Sequence, residues 1–261
     1  MSVAIFGNGS TKDSDTSKDY RYTEIVIEGG SIKSTGSTAI YHPQLGSLII
    51  TGGEITGPGA VEFRAGDLII SGNPVITSTE ATLQENTNSP GSGNSIYGAA
   101  IAVSQHSTDF DISVSISGGT FKGVYAFYEK DLINEDVDNI WTTISGGRYE
   151  GTVGSLYSEN MTEFVMGGSF TGGTLAETYI RDGYELKDGS VIATDPVASI
   201  DGQGFATLAE AMEAAGSGDT VVLLKDITDC PRIELDDGTS YTLNLNGFDI
   251  IFAQNAYFHI T

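Results

Sequence analysis

Ile116-Ser117-Gly118-Gly119-Thr120-Phe121 decides the fold, because five other stretches repeat it. They are Ile27-Glu28-Gly29-Gly30-Ser31-Ile32, Ile50-Thr51-Gly52-Gly53-Glu54-Ile55, Ile70-Ser71-Gly72-Asn73-Pro74-Val75, Ile144-Ser145-Gly146-Gly147-Arg148-Tyr149 and Val165-Met166-Gly167-Gly168-Ser169-Phe170. Their first glycines stand at 29, 52, 72, 118, 146 and 167, so the intervals are 23, 20, 46, 28 and 21 residues. The interval of 46 is close to two units and holds a polar insert at 79–95, TEATLQENTNSPGSGNS. Self-similarity of this period marks a stacked-repeat architecture.

Working outward, each unit carries two more short apolar elements. Leu48-Ile49-Ile50, Leu68-Ile69-Ile70, Val114-Ser115-Ile116 and Thr142-Thr143-Ile144 lead into the glycines. Ala39-Ile40-Tyr41, Ala60-Val61-Glu62-Phe63, Ala100-Ile101-Ala102-Val103, Ala126-Phe127-Tyr128 and Ser155-Leu156-Tyr157 follow them. Three short strands per unit, joined at glycine corners, describe one turn of a three-faced coil. So many glycines exclude a helical solenoid, since each costs roughly 1 kcal/mol against Ala in a helix. Stacked coils pair each strand with its equivalent in the next, which predicts an all-β, right-handed, single-stranded parallel β-helix of about six or seven coils over residues 20–178. Residues 1–19 form a polar arm.

Alternation along each strand then predicts three inward ladders. The first is Ile32, Ile55, Val75, Phe121, Tyr149 and Phe170; the second is Ile40, Val61, Ile101, Phe127 and Leu156. The third is Ile27, Ile50, Ile70, Ile116, Ile144 and Val165.

Beyond the repeats the pattern changes. Residues 179–194 read as a closing hairpin turning at Lys187-Asp188-Gly189. Residues 195–261 read as a small α+β unit with one helix. Its helix starts at the capping box Thr207-Leu208-Ala209-Glu210 and stops at Gly216. Short strands follow, and the pattern at Tyr257-Phe258-His259-Ile260 reads as though another coil should stack next.

Ala206-Thr207-Leu208-Ala209-Glu210-Ala211, Gly218-Asp219-Thr220-Val221-Val222-Leu223-Leu224 and Leu243-Asn244-Leu245-Asn246-Gly247 resemble the cap that begins right-handed β-helix repeat proteins of the pectate-lyase-like superfamily. Such proteins occur on the surfaces of Gram-positive gut bacteria. The Ile-Ser-Gly-Gly-Thr-Phe copies resemble their coils. The resemblance implies the fold over nearly the whole chain and an extracellular place, with a phage virion relative as the other source. The order departs from that family, because here the cap-like unit follows the coils. That order raises two readings, a second β-helix or head-to-tail assembly through the C-terminal unit.

The chain has 261 residues with 35 Asp+Glu and 12 Lys+Arg, and 12 − 35 gives a formal charge of −23. Such a charge excludes a phosphate-backbone partner and disfavours anionic lipid. One cysteine, Cys230, allows no internal disulfide. No apolar run approaches the roughly 20 residues of a membrane-spanning helix. No secretory signal is visible in Met1-Ser2-Val3-Ala4-Ile5-Phe6-Gly7.

A lyase of the superfamily needs clustered carboxylates for Ca²⁺ with a Lys or Arg base on an adjacent coil, but the five arginines are scattered; a hydrolase needs paired aspartates with a Gly-His-Gly and an Arg-x-Lys, whereas Asp236-Asp237 stands alone before Gly238 and reads as a turn. His42, His106 and His259 sit in unrelated contexts. The sequence therefore favours a non-catalytic structural or display protein of a bacterial surface or phage particle, in a fibre, decoration or adhesion role. Its partners would be a polysaccharide, a surface or virion protein, or further copies of itself. Three residue sets carry specific expectations. Tyr41, Tyr128 and Tyr157 share an outward column and offer flat faces for sugar rings, which defines a carbohydrate-binding alternative. Val26, Ile49, Ile69 and Phe164 form an apolar outward column suited to an interface. Glu129, Asp131, Glu135, Asp136 and Asp138 are hard-oxygen groups dense enough for Ca²⁺, although no cofactor is required. A polysaccharide lyase or hydrolase is the last alternative.

Overall fold

The computed structural model describes residues 3–7, 23–88, 93, 96–133, 139–235 and 240–260. The chain is mostly β, its sheets are largely parallel, and its α-helix is Leu208–Ala214. It divides into two compact units, Met1–Arg181 and Asp182–Thr261. Among the described residues no helix is long and apolar enough to cross a membrane.

In the first unit, strands of successive repeats pair in parallel. One ladder runs Ile27, Ile50, Ile70, Ile116, Ile144, Val165 and continues to Ile180. A second runs from Ile5 through Ile40, Val61, Ile101 and Phe127 to Leu156. The remaining ladder runs Ile32, Ile55, Ile76, Phe121, Tyr149, Phe170. Period-two alternation is visible in Gly66–Ile70 and Ile112–Ile116, where every second residue is buried. The aromatic rungs stack, with ring centroids 4.9 Å apart for both Phe121–Tyr149 and Tyr149–Phe170. The buried Tyr149 hydroxyl donates to the Gly146 carbonyl at 3.0 Å.

One rung differs from the sequence expectation. Ile76, not Val75, occupies the ladder, and Val75 stands opposite Glu54 and Thr120. The corner Gly72-Asn73-Pro74 replaces Gly-Gly and is one residue longer before the strand resumes at Val75–Ser78. A single added residue moves the side chains to the opposite face.

The Gly-Gly pairs have two separate causes. The first glycine lies where successive backbones touch: a Cβ on Gly146 would sit 2.2 Å from the Ser117 carbonyl oxygen. The second takes the left-handed region, with φ of 98° at Gly147. In the third copy Gly72 meets both demands, with φ of 65° and a Cβ position 2.3 Å from the Thr51 oxygen, so Asn73 can follow it.

The second unit opens with an antiparallel hairpin, Tyr184–Lys187 with Ser190–Ala193. Its two-residue turn, Asp188-Gly189, has positive φ at both positions, as a type I′ turn requires. Helix α1, Leu208–Ala214, carries a reciprocal capping box. The Glu210 amide donates to Thr207 Oγ1 at 3.1 Å, and the Thr207 amide donates to Glu210 Oε2 at 3.0 Å. Three parallel pairs follow: Thr220–Leu223 with Thr242–Asn244, Ile227–Cys230 with Ile250–Phe252, and Ile233–Leu235 with Phe258–Ile260.

Candidate functional site

The tyrosine column exists in register. Phe6, Tyr41, Glu62, Ala102, Tyr128 and Tyr157 stand side by side on successive strands. They point away from the second ladder, as expected, but most of the column is covered. Tyr41 is 2% and Tyr128 4% exposed, while Tyr157 is half-buried. The cover comes from the insert that looked polar in sequence. Gln84–Glu85 pairs antiparallel with Ile96–Tyr97, and Ile96 packs with Ala99, Ala102 and Tyr128. Leu83, Tyr125, Leu132 and Tyr157 pack around this cluster. The Tyr128 hydroxyl donates to Glu85 Oε1 at 2.5 Å, and Lys130 Nζ donates to both Glu85 oxygens at 3.1 Å. Burial, and then the Glu85 carboxylate, push the Tyr128 phenol well above its ordinary pKa. The expected sugar platform is thus the floor of a second apolar layer, because aromatic area gains more from burial than from water.

Beneath the same cover lies an ion pair that sequence reading missed. Glu62 and Arg64 both have fully buried side chains, with Nη1 to Oε1 at 3.6 Å. Arg64 Nε donates to the Ser104 carbonyl at 3.2 Å, Nη1 donates to Gly93 at 2.9 Å, and Nη2 donates to Gln105. The Ile96 amide donates to Glu62 Oε2 at 3.4 Å. A buried pair is tolerated when its remaining hydrogen-bonding capacity is met in this way. The signal available in sequence was alternation: in Val61-Glu62-Phe63-Arg64, two opposite charges share the outward face of an otherwise apolar strand.

His42 and His106 are both buried. His42 points inward and stacks on Phe63 with centroids 4.8 Å apart. Its Nδ1 lies 3.2 Å from the Ala65 carbonyl, which only accepts, so Nδ1 carries the proton. Burial lowers the His42 pKa to about 4. His106 is also lowered to about 4, by burial and then by the Arg64 charge. Burial, in spite of the nearby Arg64, pushes the Tyr41 phenol up to about 12.

Of the five acidic residues considered for Ca²⁺, Glu135, Asp136 and Asp138 lie outside the described residues. Glu129 is fully buried. Its carboxylate accepts from Ser158 Oγ at 2.7 Å, the Glu159 and Asn160 amides at 3.1 Å, and Asn160 Nδ2 at 2.9 Å. Those donors hold the turn after Arg148–Ser158 and leave the carboxylate engaged. Asp131 Oδ1 accepts from the Ile133 amide at 2.9 Å, a local turn contact. Among the described residues no group of three or more His, Cys, Asp or Glu side chains is placed to hold a metal ion.

Val26, Ile49 and Ile69 do share one outward column, which continues as Ser115 and Thr143. Val26 is 47% and Ile69 40% exposed. Phe164 departs from this expectation. It is buried between Phe127 and Tyr179, with centroids 6.2 and 5.2 Å away. Glu163 has a φ of 56°, so the backbone turns just before Phe164 and the in-out alternation resets.

A groove of about 420 Å³ is lined by Ser78, Glu80, Lys122, Glu150 and Thr171 among others. There Glu150 pairs with Arg148 at 2.6 Å and Lys122 at 3.2 Å, and the Arg148 hydrogen bond holds its carboxyl below the usual range. In the second unit, Glu234 meets Arg232 at 2.8 Å and His259 at 2.6 Å beside a hollow of about 450 Å³. No family model, curated protein or solved structure matches the chain.

Proposed function

We propose that residues 20–178 wind as a right-handed, single-stranded parallel β-helix of about six or seven coils, and that the protein is a non-catalytic structural or display protein. Its place is a bacterial surface or a phage particle, in a fibre, decoration or adhesion role. The observation that carries this reading is the continuous register of equivalent residues from repeat to repeat, with Ile27, Ile50, Ile70, Ile116, Ile144, Val165 and Ile180 as the longest series. Regular stacking gives a stiff scaffold with a repetitive polar exterior. The engagement of Glu62, Arg64 and Glu129 in buried contacts supports the non-catalytic side.

The test is incubation with a broad panel of neutral and acidic polysaccharides, with product analysis and glycan retention measured together. The expected result is no release of unsaturated or reducing-end products. Their release would replace this reading with a lyase or hydrolase. Retention on one glycan, lost in Lys122→Ala but not in Tyr128→Phe, would replace it with a carbohydrate-binding module using the open groove rather than the covered tyrosines.

A further inference from the structure

We infer that the five-stranded sheet Glu24–Ile27, Ser47–Ile50, Gly66–Ile70, Ile112–Ile116 and Ile140–Ile144 docks, on its outer face, a basic polypeptide segment whose Lys or Arg side chains flank apolar ones. The inference names a class of partner for the adhesion role proposed above and rests on that reading.

Two outward columns make the face. Val26, Ile49 and Ile69 lead one of them. Glu24, Ser47, Asp67, Ser113 and Trp141 form the other, two residues earlier on the same strands. Neighbouring strands lie about 4.8 Å apart, so the five span about 19 Å. Trp141, the largest side chain on the face, is 54% exposed. Ser47–Ile50 and Gly66–Ile70 are each paired along both edges. What Ile49 and Ile69 lack is therefore a layer above the sheet, not a further strand beside it. For Tyr128 that layer comes from Leu83 and Ile96. Val26, Ile69 and Trp141 stay exposed, and a contiguous apolar stripe of this kind marks a contact surface.

The charge of the face selects the occupant. Neither column holds a Lys or Arg, and its two charged members, Glu24 and Asp67, are exposed carboxylates. Among the described residues neither forms an ion pair. Carboxylates beside an apolar stripe favour a cationic partner and repel an anionic one. That sign excludes nucleic acid and anionic lipid. It also disfavours a second copy of this chain, which would set Glu24 and Asp67 against their equivalents or against a surface with 35 Asp+Glu and 12 Lys+Arg. A neutral sugar could stack on Trp141 but gains little from three branched aliphatic side chains. A polypeptide supplies apolar side chains for the stripe and cations for the carboxylates, and Trp is among the strongest anchors of protein interfaces.

Trp141 is the one tryptophan of the chain, so its emission reads this face alone. The probe is a Trp-free peptide of repeated Val-Ser-Lys-Ser, which when extended presents Val and Lys on one side. Titrated into the full chain, it should shift Trp141 emission to shorter wavelength in a saturable way and protect Trp141 from acrylamide quenching. Ile69→Thr keeps a β-branched residue at an exposed strand position and should weaken binding about tenfold. Asp67→Asn should weaken it about threefold, and added salt should weaken the wild type more than this variant. Val26→Thr takes the place of Ile69→Thr if circular dichroism shows that the latter does not fold. The same peptide with Glu for Lys should not bind. Absence of any shift overturns the inference, as does equal binding by the wild type and both variants, which would reduce the contact to general charge attraction. Equal binding of the Glu peptide overturns it as well. Trp141 shielded from acrylamide before peptide is added would mean that the chain covers this face itself, and a rise above the one-chain mass of 27.4 kDa that Ile69→Thr abolishes would put a second copy there. Either result also overturns the inference. All of them leave the display reading standing, because that reading falls on product release or glycan retention instead.

Discussion

Glu129 shows what a buried carboxylate can be for. It lies on an inward position, opposite Ser158, and gathers four donors from residues 158–160. Glu129→Ala would strand those donors, so it should cost roughly 2–4 kcal/mol in urea unfolding. Added Ca²⁺ should leave the melting temperature unchanged, and a rise of several degrees would support a Ca²⁺ site. His42 makes a different prediction. Its folded pKa is about 4 against an ordinary 6.5. Between those values the unfolded chain binds a proton that the native state refuses. Stability is therefore intact above about pH 6.5 and falls as pH drops toward 4, by on the order of 3 kcal/mol at full effect. Denaturant melts from pH 7 to 4 should show this loss in the wild type and a flatter profile in His42→Leu. Equal slopes would remove His42 as the cause. Both roles were invisible in sequence. Alternation places a residue inward or outward, but its hydrogen-bond partners come from another repeat.

At the scale of the element, the glycine corners and the insert act differently. Gly146 sits where the Ser117 carbonyl approaches, so Gly146→Ala must push two repeats apart. The expected cost is above about 2 kcal/mol, larger than the strain of roughly 1–2 kcal/mol for a left-handed alanine at Gly147. Comparing the two melts checks the order. The insert works by covering. Ile96→Ala opens a cavity against Ala99, Ala102 and Tyr128, with an expected loss of about 2–5 kcal/mol. If the cover then lifts, the Tyr128 phenol becomes accessible, and its alkaline titration should move down toward that of free tyrosine. An unchanged titration would mean that the layer holds without Ile96.

At the scale of the whole molecule, charge dominates. A formal −23 on 261 residues makes the native state repel itself. Melting temperature should rise as sodium chloride screens that repulsion, most steeply at low ionic strength. A melt insensitive to salt would show that the unfolded chain carries the same repulsion.

Residue order alone determined the repeat, the parallel pairing it implies, and two inward ladders, to which the structure adds Ile180 and Ile5. The physical reason is local: strand side chains alternate, glycine corners reset each strand, and equivalent residues stack when units share a length. Where one corner gained a residue, at Gly72-Asn73-Pro74, the register moved by one and Ile76 took the place expected of Val75. Where the backbone turned left-handed at Glu163, Phe164 went inward instead of outward. The fate of the outward faces was decided only in three dimensions. Leu83, Glu85 and Ile96 reach Tyr128 across tens of residues, so a polar-looking insert buries a tyrosine column and, with Arg64 and Glu62, fastens itself to it. Covering is a nonlocal gain of buried area, and no periodicity within a strand records which distant segment will supply it.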